Sequence, residues 1–255
     1  MRTCWQLPQP FTCQGHTAGG VTRKPFACPA GTHKDGHMLE PAPADVVLAA
    51  AALTPLAAVP DQDPGWEQPA VPTPWPADRA LQHITDALLY YAGHVARRAD
   101  RRLPPLRTES FAPPSELLDN VRTAAHVLTG LLRDLGAGRA WHPSGHADAA
   151  GWTGMAVTEI LVHGHDVASV LGVELPLPVQ ACARTVARVF PWMPTATVAA
   201  DQLLLATTGR VHLDGLACGP HWWCSPRRCQ SGTVSPAGEP PAALTHQRCA
   251  SVVRP

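Results

Sequence analysis

Trp152-Thr-Gly-Met-Ala-Val-Thr-Glu-Ile-Leu-Val-His-Gly-His-Asp-Val-Ala-Ser-Val-Leu-Gly172 is the stretch around which the rest of the chain is organised. Ala156, Ile160, Val167 and Leu171 recur at spacings of four and seven, the period of a helix that buries one face. Gly172 suits the C-terminal cap. Glu159 and His163 stand four apart, so their side chains project the same way, one turn from each other. A carboxylate beside a packed apolar stripe is costly unless its charge is compensated. Two compensations fit. One is a Glu–His hydrogen bond on a partly wet helix face, a pairing common by composition alone. The other is a divalent metal bound by both, which needs at least one more donor from elsewhere in the chain.

The segments on either side also read as helices. A first is expected at about 44–58, with Asp45 near its start and Pro60 beyond its end. After a Pro-rich link from Asp61 to Pro76, a second runs from about Ala77 to Arg102, with Leu81, Ile84, Leu88, Tyr91 and Val95 as its apolar stripe. A third at about 115–135 turns Leu117, Val121, Ala124, Leu128, Leu131 and Leu135 inward and ends at Gly136. Beyond the Trp152 helix, a fifth spans about 178–190 and a sixth about 195–208, followed from Arg210 by a short extended piece and a turn. Helices joined by short or Pro-rich links, with almost no strand signal before residue 210, predict an all-α bundle.

The ends differ from this body. Residues 1–37 contain a single leucine, Leu7, and the stretch from Ala217 onward contains only Leu244. Segments with so little to bury are expected to be disordered. The expected organisation is therefore an N-terminal extension over 1–37, a helical domain over 38–215 and a tail over 216–255. Met38 is a second plausible start of translation. Isoleucine occurs only at Ile84 and Ile160 while Ala, Pro, Arg and Trp abound, a bias that reads as codon usage in a GC-rich genome.

Composition narrows the function. The formal net charge of the 255-residue chain is zero, and no basic run is dense enough for a nucleic-acid groove. Arg97, Arg98, Arg101 and Arg102 read instead as the solvated end of a helix, where cations suit the dipole. The apolar run Val46 to Val59 is too short to span about 30 Å of hydrocarbon, and Pro55 interrupts it. Eight cysteines are scattered towards the ends, with only Cys182 in the helical body. With no secretory signal and no C-x2-C knuckle, they indicate a reducing, cytoplasmic setting rather than a disulfide framework or a zinc ribbon.

A third donor for Glu159 and His163 has several candidates. His83 lies beside the stripe of the second helix, where a lone histidine is ordinarily a satisfied core residue. His94, eleven residues on, is about 16 Å further along the axis at about 1.5 Å per residue, so it cannot share an ion with His83. His126 falls off its stripe. His142 and His146 lie in the loop before the Trp152 helix, where they could cap it, add a donor or remain solvated.

Three segments carry a resemblance. Pro74-Trp75-Pro-Ala-Asp-Arg-Ala-Leu-Gln-His83-Ile84 resembles the Pro-x-Trp-x7-His-[Leu/Ile] segment that opens the second helix of mycothiol-dependent maleylpyruvate isomerase N-terminal domains, a branch of the DinB-like four-helix bundles. Glu159-Ile-Leu-Val-His163-Gly-His-Asp166 through Gly172 is similar to that family's E-x3-H-x-W-D-x5-G helix, and Leu203-Leu-Leu-Ala-Thr-Thr-Gly-Arg210 to its LL-x-A-T-G-R run. The resemblance covers about residues 40–215. It implies a DinB-like bundle with extra C-terminal helices in which His83, Glu159 and His163 bind a divalent metal, zinc in most of the family. Asp166 would orient a ligand histidine, its alternative being an ordinary helix-surface carboxylate.

Three protein ligands leave one tetrahedral position open, the arrangement of catalytic zinc. A thiol bound there loses its proton and becomes a nucleophile. The implied cosubstrate is mycothiol, the small thiol of actinobacteria, and the implied partner an electrophilic small molecule. The implied reaction is isomerisation or S-transfer by a cytoplasmic monomer or homodimer. His165 stands where the family pattern has Trp, no sterol-carrier-like second domain follows residue 215, and no arginine pair suits a dicarboxylate. A non-catalytic metal-binding bundle, regulatory or a decayed paralogue, is the alternative these departures favour.

Overall fold

The computed structural model describes residues 40–73, 75–106, 112–142, 145–191, 193 and 198–213, and the backbone of 26–27 and 233–234. The disorder expected at the two ends lies outside the described residues, apart from a two-residue antiparallel pairing of Phe26–Ala27 with Thr233–Val234. The described body is all-α, with six α-helices: α1 Ala44–Ala51, α2 Ala77–Ala96, α3 Pro114–Leu135, α4 Ala149–Leu171, α5 Val179–Val189 and α6 Ala200–Thr207. No helix among the described residues is long and apolar enough to cross a membrane.

Packing follows the apolar stripes. α2 lies against both α3 and α4, and its Leu81, Ile84 and Leu88 are fully buried. α1 fills in against α3 and α4, and α5 packs on α4 and carries α6. The centre is α4, and here the one-faced helix expected from the sequence needs correction. Every residue from Gly151 to Gly164 is buried except Glu159, so α4 is enclosed nearly all round, as suits a central helix. Small residues make this possible. A Cβ on Gly164 would lie 2.3 Å from Leu53 Cδ2 and one on Gly154 2.4 Å from Val189 Cγ2, so neighbouring chain segments sit directly on the α4 backbone.

Helix ends depart from the expected bounds for identifiable reasons. The first helix stops at Ala51 and resumes as a 3-10 turn over Thr54–Ala58, because Pro55 offers no amide to continue the ladder. α2 ends at Ala96, not at Arg102. The chain turns back through Arg98, whose φ of 42° is left-handed, and the buried His94 Nε2 accepts from the Leu103 amide at 3.0 Å. Arg98 itself donates to the carbonyls of Asp134 and Leu135 at 3.0 and 3.3 Å. One cation of the expected solvated cluster thus caps the C-terminus of α3, where the dipole favours positive charge.

α4 begins at Ala149, three residues before Trp152, because Asp148 caps it by accepting from the Gly151 amide at 2.9 Å. Arg188 of α5 holds the same carboxylate at 2.9 Å. At the other end Gly172 adopts φ 65°, the left-handed cap expected of it. In α3, Leu132 is fully buried, while Leu131, assigned inward from the sequence, is only half-buried.

Candidate metal centre

α2 and α4 cross so that three of the expected donors meet. His83 comes from the second turn of α2, and Glu159 and His163 from one face of α4. One atom from each of the three lies within 4.8 Å of the other two. Glu159 Oε2 is 3.6 Å from His83 Nε2 and 3.4 Å from His163 Nε2. These separations suit an ion pair of Glu159 with the two imidazoles and also the spacing of ligands about one ion. A charge-assisted N–H···O bond closes to about 2.7–2.9 Å, whereas donors at about 2.0–2.2 Å from a shared tetrahedral ion stand about 3.3–3.6 Å apart. The group could therefore hold a metal ion through two imidazole nitrogens and one carboxylate oxygen. Its side chains are 23%, 20% and 11% exposed for His83, Glu159 and His163, so the cluster is mostly enclosed yet in contact with solvent.

Asp166 is no surface carboxylate. It is 1% exposed, its Oδ2 lies 3.3 Å from His163 Nδ1, and Arg210 grips both its oxygens, with Nε at 3.0 Å and an Nη at 2.7 Å. His163 is thus flanked by Glu159 at one ring nitrogen and Asp166 at the other. Burial opposes its protonation, but the two carboxylates outweigh it and push its pKa up to about 9. Burial likewise acts to raise the Glu159 carboxyl, and the His163 and His83 imidazoles overcome it and hold the group well below the usual carboxylate range. The charge set of Glu159, Asp166, His163 and Arg210 is balanced in this state. For an ion to be held at Nε2, the His163 imidazole must give up its proton there.

Two neighbours complete the cluster, one of them, Tyr91, unrecognised in the sequence. Tyr91, counted only as part of an apolar stripe, donates its hydroxyl to Glu159 Oε1 at 2.9 Å. A tyrosine that is 6% exposed needs a partner for that group. Trp75 stands over the cluster, its ring centre 4.6 Å from that of His83 and 6.3 Å from that of His163.

The other histidines lie elsewhere. His94 is fully buried, with Nδ1 at 2.9 Å from the Tyr90 carbonyl. It stacks on Trp141 with ring centres 5.7 Å apart. His142, for which solvation or a cap was open, is buried edge-on against Trp152 at 5.2 Å. Burial pushes its pKa down to about 3, against the pull of Glu159. His146 and His126 are exposed. His165 is half-buried, its pKa lowered by burial in spite of Asp166.

The chain matches no protein-family model, no curated protein and no solved structure.

Proposed function

We propose that the chain is a metal-dependent enzyme that activates a small thiol for attack on an electrophilic substrate, in the manner of the mycothiol-dependent isomerases and S-transferases of DinB-like fold. The observation that carries this is the meeting of two imidazole Nε2 atoms on one carboxylate oxygen, at 3.4 and 3.6 Å, in a partly exposed cluster. A divalent ion, zinc by this reading, supplies a positive centre at which a thiol is kept as thiolate at neutral pH.

The chain's own residues do the rest. His83, Glu159 and His163 hold the ion, and α2 and α4 fix their separation through the buried contacts along both helices. The Asp166 charge, 3.3 Å from His163 Nδ1, favours a proton on that nitrogen, which leaves Nε2 to present its lone pair, and Arg210 offsets the charge of Asp166. Trp75 covers one side of the cluster and keeps bulk water from that flank. A mycothiol thiolate that adds to an activated double bond forms a C–S bond. As it forms, the π pair moves onto the activating group; rotation about the former double bond and expulsion of the same thiolate give the cis–trans isomer, whereas protonation of the adjacent carbon by water, or displacement of a leaving group that departs as its anion, gives the S-conjugate.

The proposed setting is the cytoplasm of an actinobacterium, the protein acting as a monomer or homodimer without nucleic acid. His165 in the place of the family's Trp favours a second reading, a metal-binding bundle without catalysis. Metal analysis of the purified chain, followed by incubation with mycothiol and a panel of electrophiles, tests both. One divalent ion per chain, and conjugate or isomer above the metal-free control, is expected. An ion without turnover leaves the second reading, and no ion overturns both.

A further inference from the structure

We propose that Tyr91 positions Glu159 to offer one oxygen to the metal, and so keeps the fourth coordination position open for the thiol. This rests on the metal-site reading above. A carboxylate can bind through one oxygen or both, and on a three-residue centre the difference matters: a second oxygen occupies the place that a substrate would take.

In this chain the two oxygens of Glu159 have different surroundings. Both imidazole nitrogens face Oε2, while Oε1 accepts the Tyr91 hydroxyl at 2.9 Å. Turning the carboxylate to bring Oε1 onto an ion breaks that charge-assisted bond, one of the stronger kind. The hydroxyl cannot easily follow. The Tyr91 ring is 6% exposed and confined by Trp152 at 5.2 Å and Tyr90 at 6.1 Å between ring centres. Tyr91 lies two turns beyond His83 on α2, so the helix that supplies one ligand also supplies the clamp on the carboxylate of another.

Cobalt(II) in place of the native ion reads the coordination number directly, because geometry sets its visible spectrum. The full chain and Tyr91→Phe are loaded with cobalt and compared, then exposed to 2-mercaptoethanol as the thiol probe. Both are expected to bind one cobalt per chain. The wild type should give the intense bands of a four-coordinate centre and a thiolate-to-cobalt charge-transfer band on adding the thiol. Tyr91→Phe should lose most of the visible intensity and most of the charge-transfer band, as a two-oxygen carboxylate raises the coordination number.

Superimposable spectra overturn the proposal, as does a folded Tyr91→Phe that binds no cobalt at saturating ion, because all three ligands remain in it. Absence of cobalt from the wild type instead overturns the metal-site reading, and this proposal with it. Should Tyr91→Phe not fold, 3-fluorotyrosine at both tyrosines, which strengthens the hydroxyl as a donor, should shift the wild-type bands, and an unmoved spectrum counts against the role.

Discussion

Two histidine clusters of opposite character lie along α2 and α4, the second completed by the loop before α4. Towards the start of α2, His83 meets Glu159 and His163 of α4, with Asp166 behind them. Three turns on, His94 lies with His142, Trp141 and Trp152, ring against ring. The first cluster surrounds imidazoles with carboxylates and holds His163 protonated. The second surrounds them with aromatic carbon, and burial lowers the pKa of both His94 and His142. An imidazole is adapted to an ion or to a core by what stands within a few ångströms of it, not by the helix that bears it.

The comparison breaks most directly at Glu159. Replacing it by Ala removes the oxygen on which both imidazoles converge. Metal analysis of Glu159→Ala should find essentially no bound ion, whereas removing an imidazole of the aromatic cluster by His142→Gln should leave one per chain. Retention of the ion by Glu159→Ala would place it elsewhere.

Next in size is the support behind the first cluster. Arg210→Met leaves the Asp166 charge buried without its bidentate partner. It should destabilise the protein by about 3–5 kcal/mol in denaturant unfolding, and the double change Asp166→Asn with Arg210→Met should recover part of that loss.

How much of this the sequence disclosed differs between the two clusters. Glu159 and His163 were legible because an i, i+4 spacing fixes a shared helix face whatever packs against it. His83 and His94 were not separable by such local reasoning. Each is a histidine at the edge of an apolar stripe, and only the crossing of α2 and α4 decides which of them meets a carboxylate. Resemblance to a known pattern pointed to His83, and the geometry brings that residue to the cluster. Tyr91 was hidden because its ring satisfies an apolar stripe while its hydroxyl does the chemistry of a polar side chain. The helical class and most helix starts were readable from periodicity and proline. The end of α2 was not, because it is set by a hydrogen bond from the Leu103 amide to His94 and by the docking of Arg98 on α3, both of which are tertiary.

The aromatic cluster has its own test, in acid. His142 titrates at about 3 in the folded chain and near 6.5 when unfolded, so between these values the unfolded chain binds the extra proton. Stability from this group is full above about pH 6.5 and falls as the pH drops towards 3, by on the order of a few kcal/mol at about 1.4 kcal/mol per unit. Chemical denaturation of wild type and His142→Phe across this range should give a shallower acid slope for the variant. Equal slopes would mean that His142 is solvated in the folded chain.

The smallest effect concerns the helix on which both clusters depend. Gly164→Ala places a Cβ against Leu53, a flexible side chain that can yield in part, and should cost about 1–3 kcal/mol in unfolding free energy. Because Gly164 adjoins His163, the shift should also weaken metal binding in a titration more than Gly154→Ala does. An equal effect of the two changes would separate the packing of α4 from the geometry of the centre.

The central claim is that His83, Glu159 and His163 hold one ion, and thermal unfolding with and without stoichiometric zinc tests it most directly, since a ligand that prefers the folded state raises the melting temperature. The wild type and His142→Gln should both melt higher with zinc, and His83→Ala should not. An unchanged melting temperature in the wild type, or an equal rise in His83→Ala, would contradict the account.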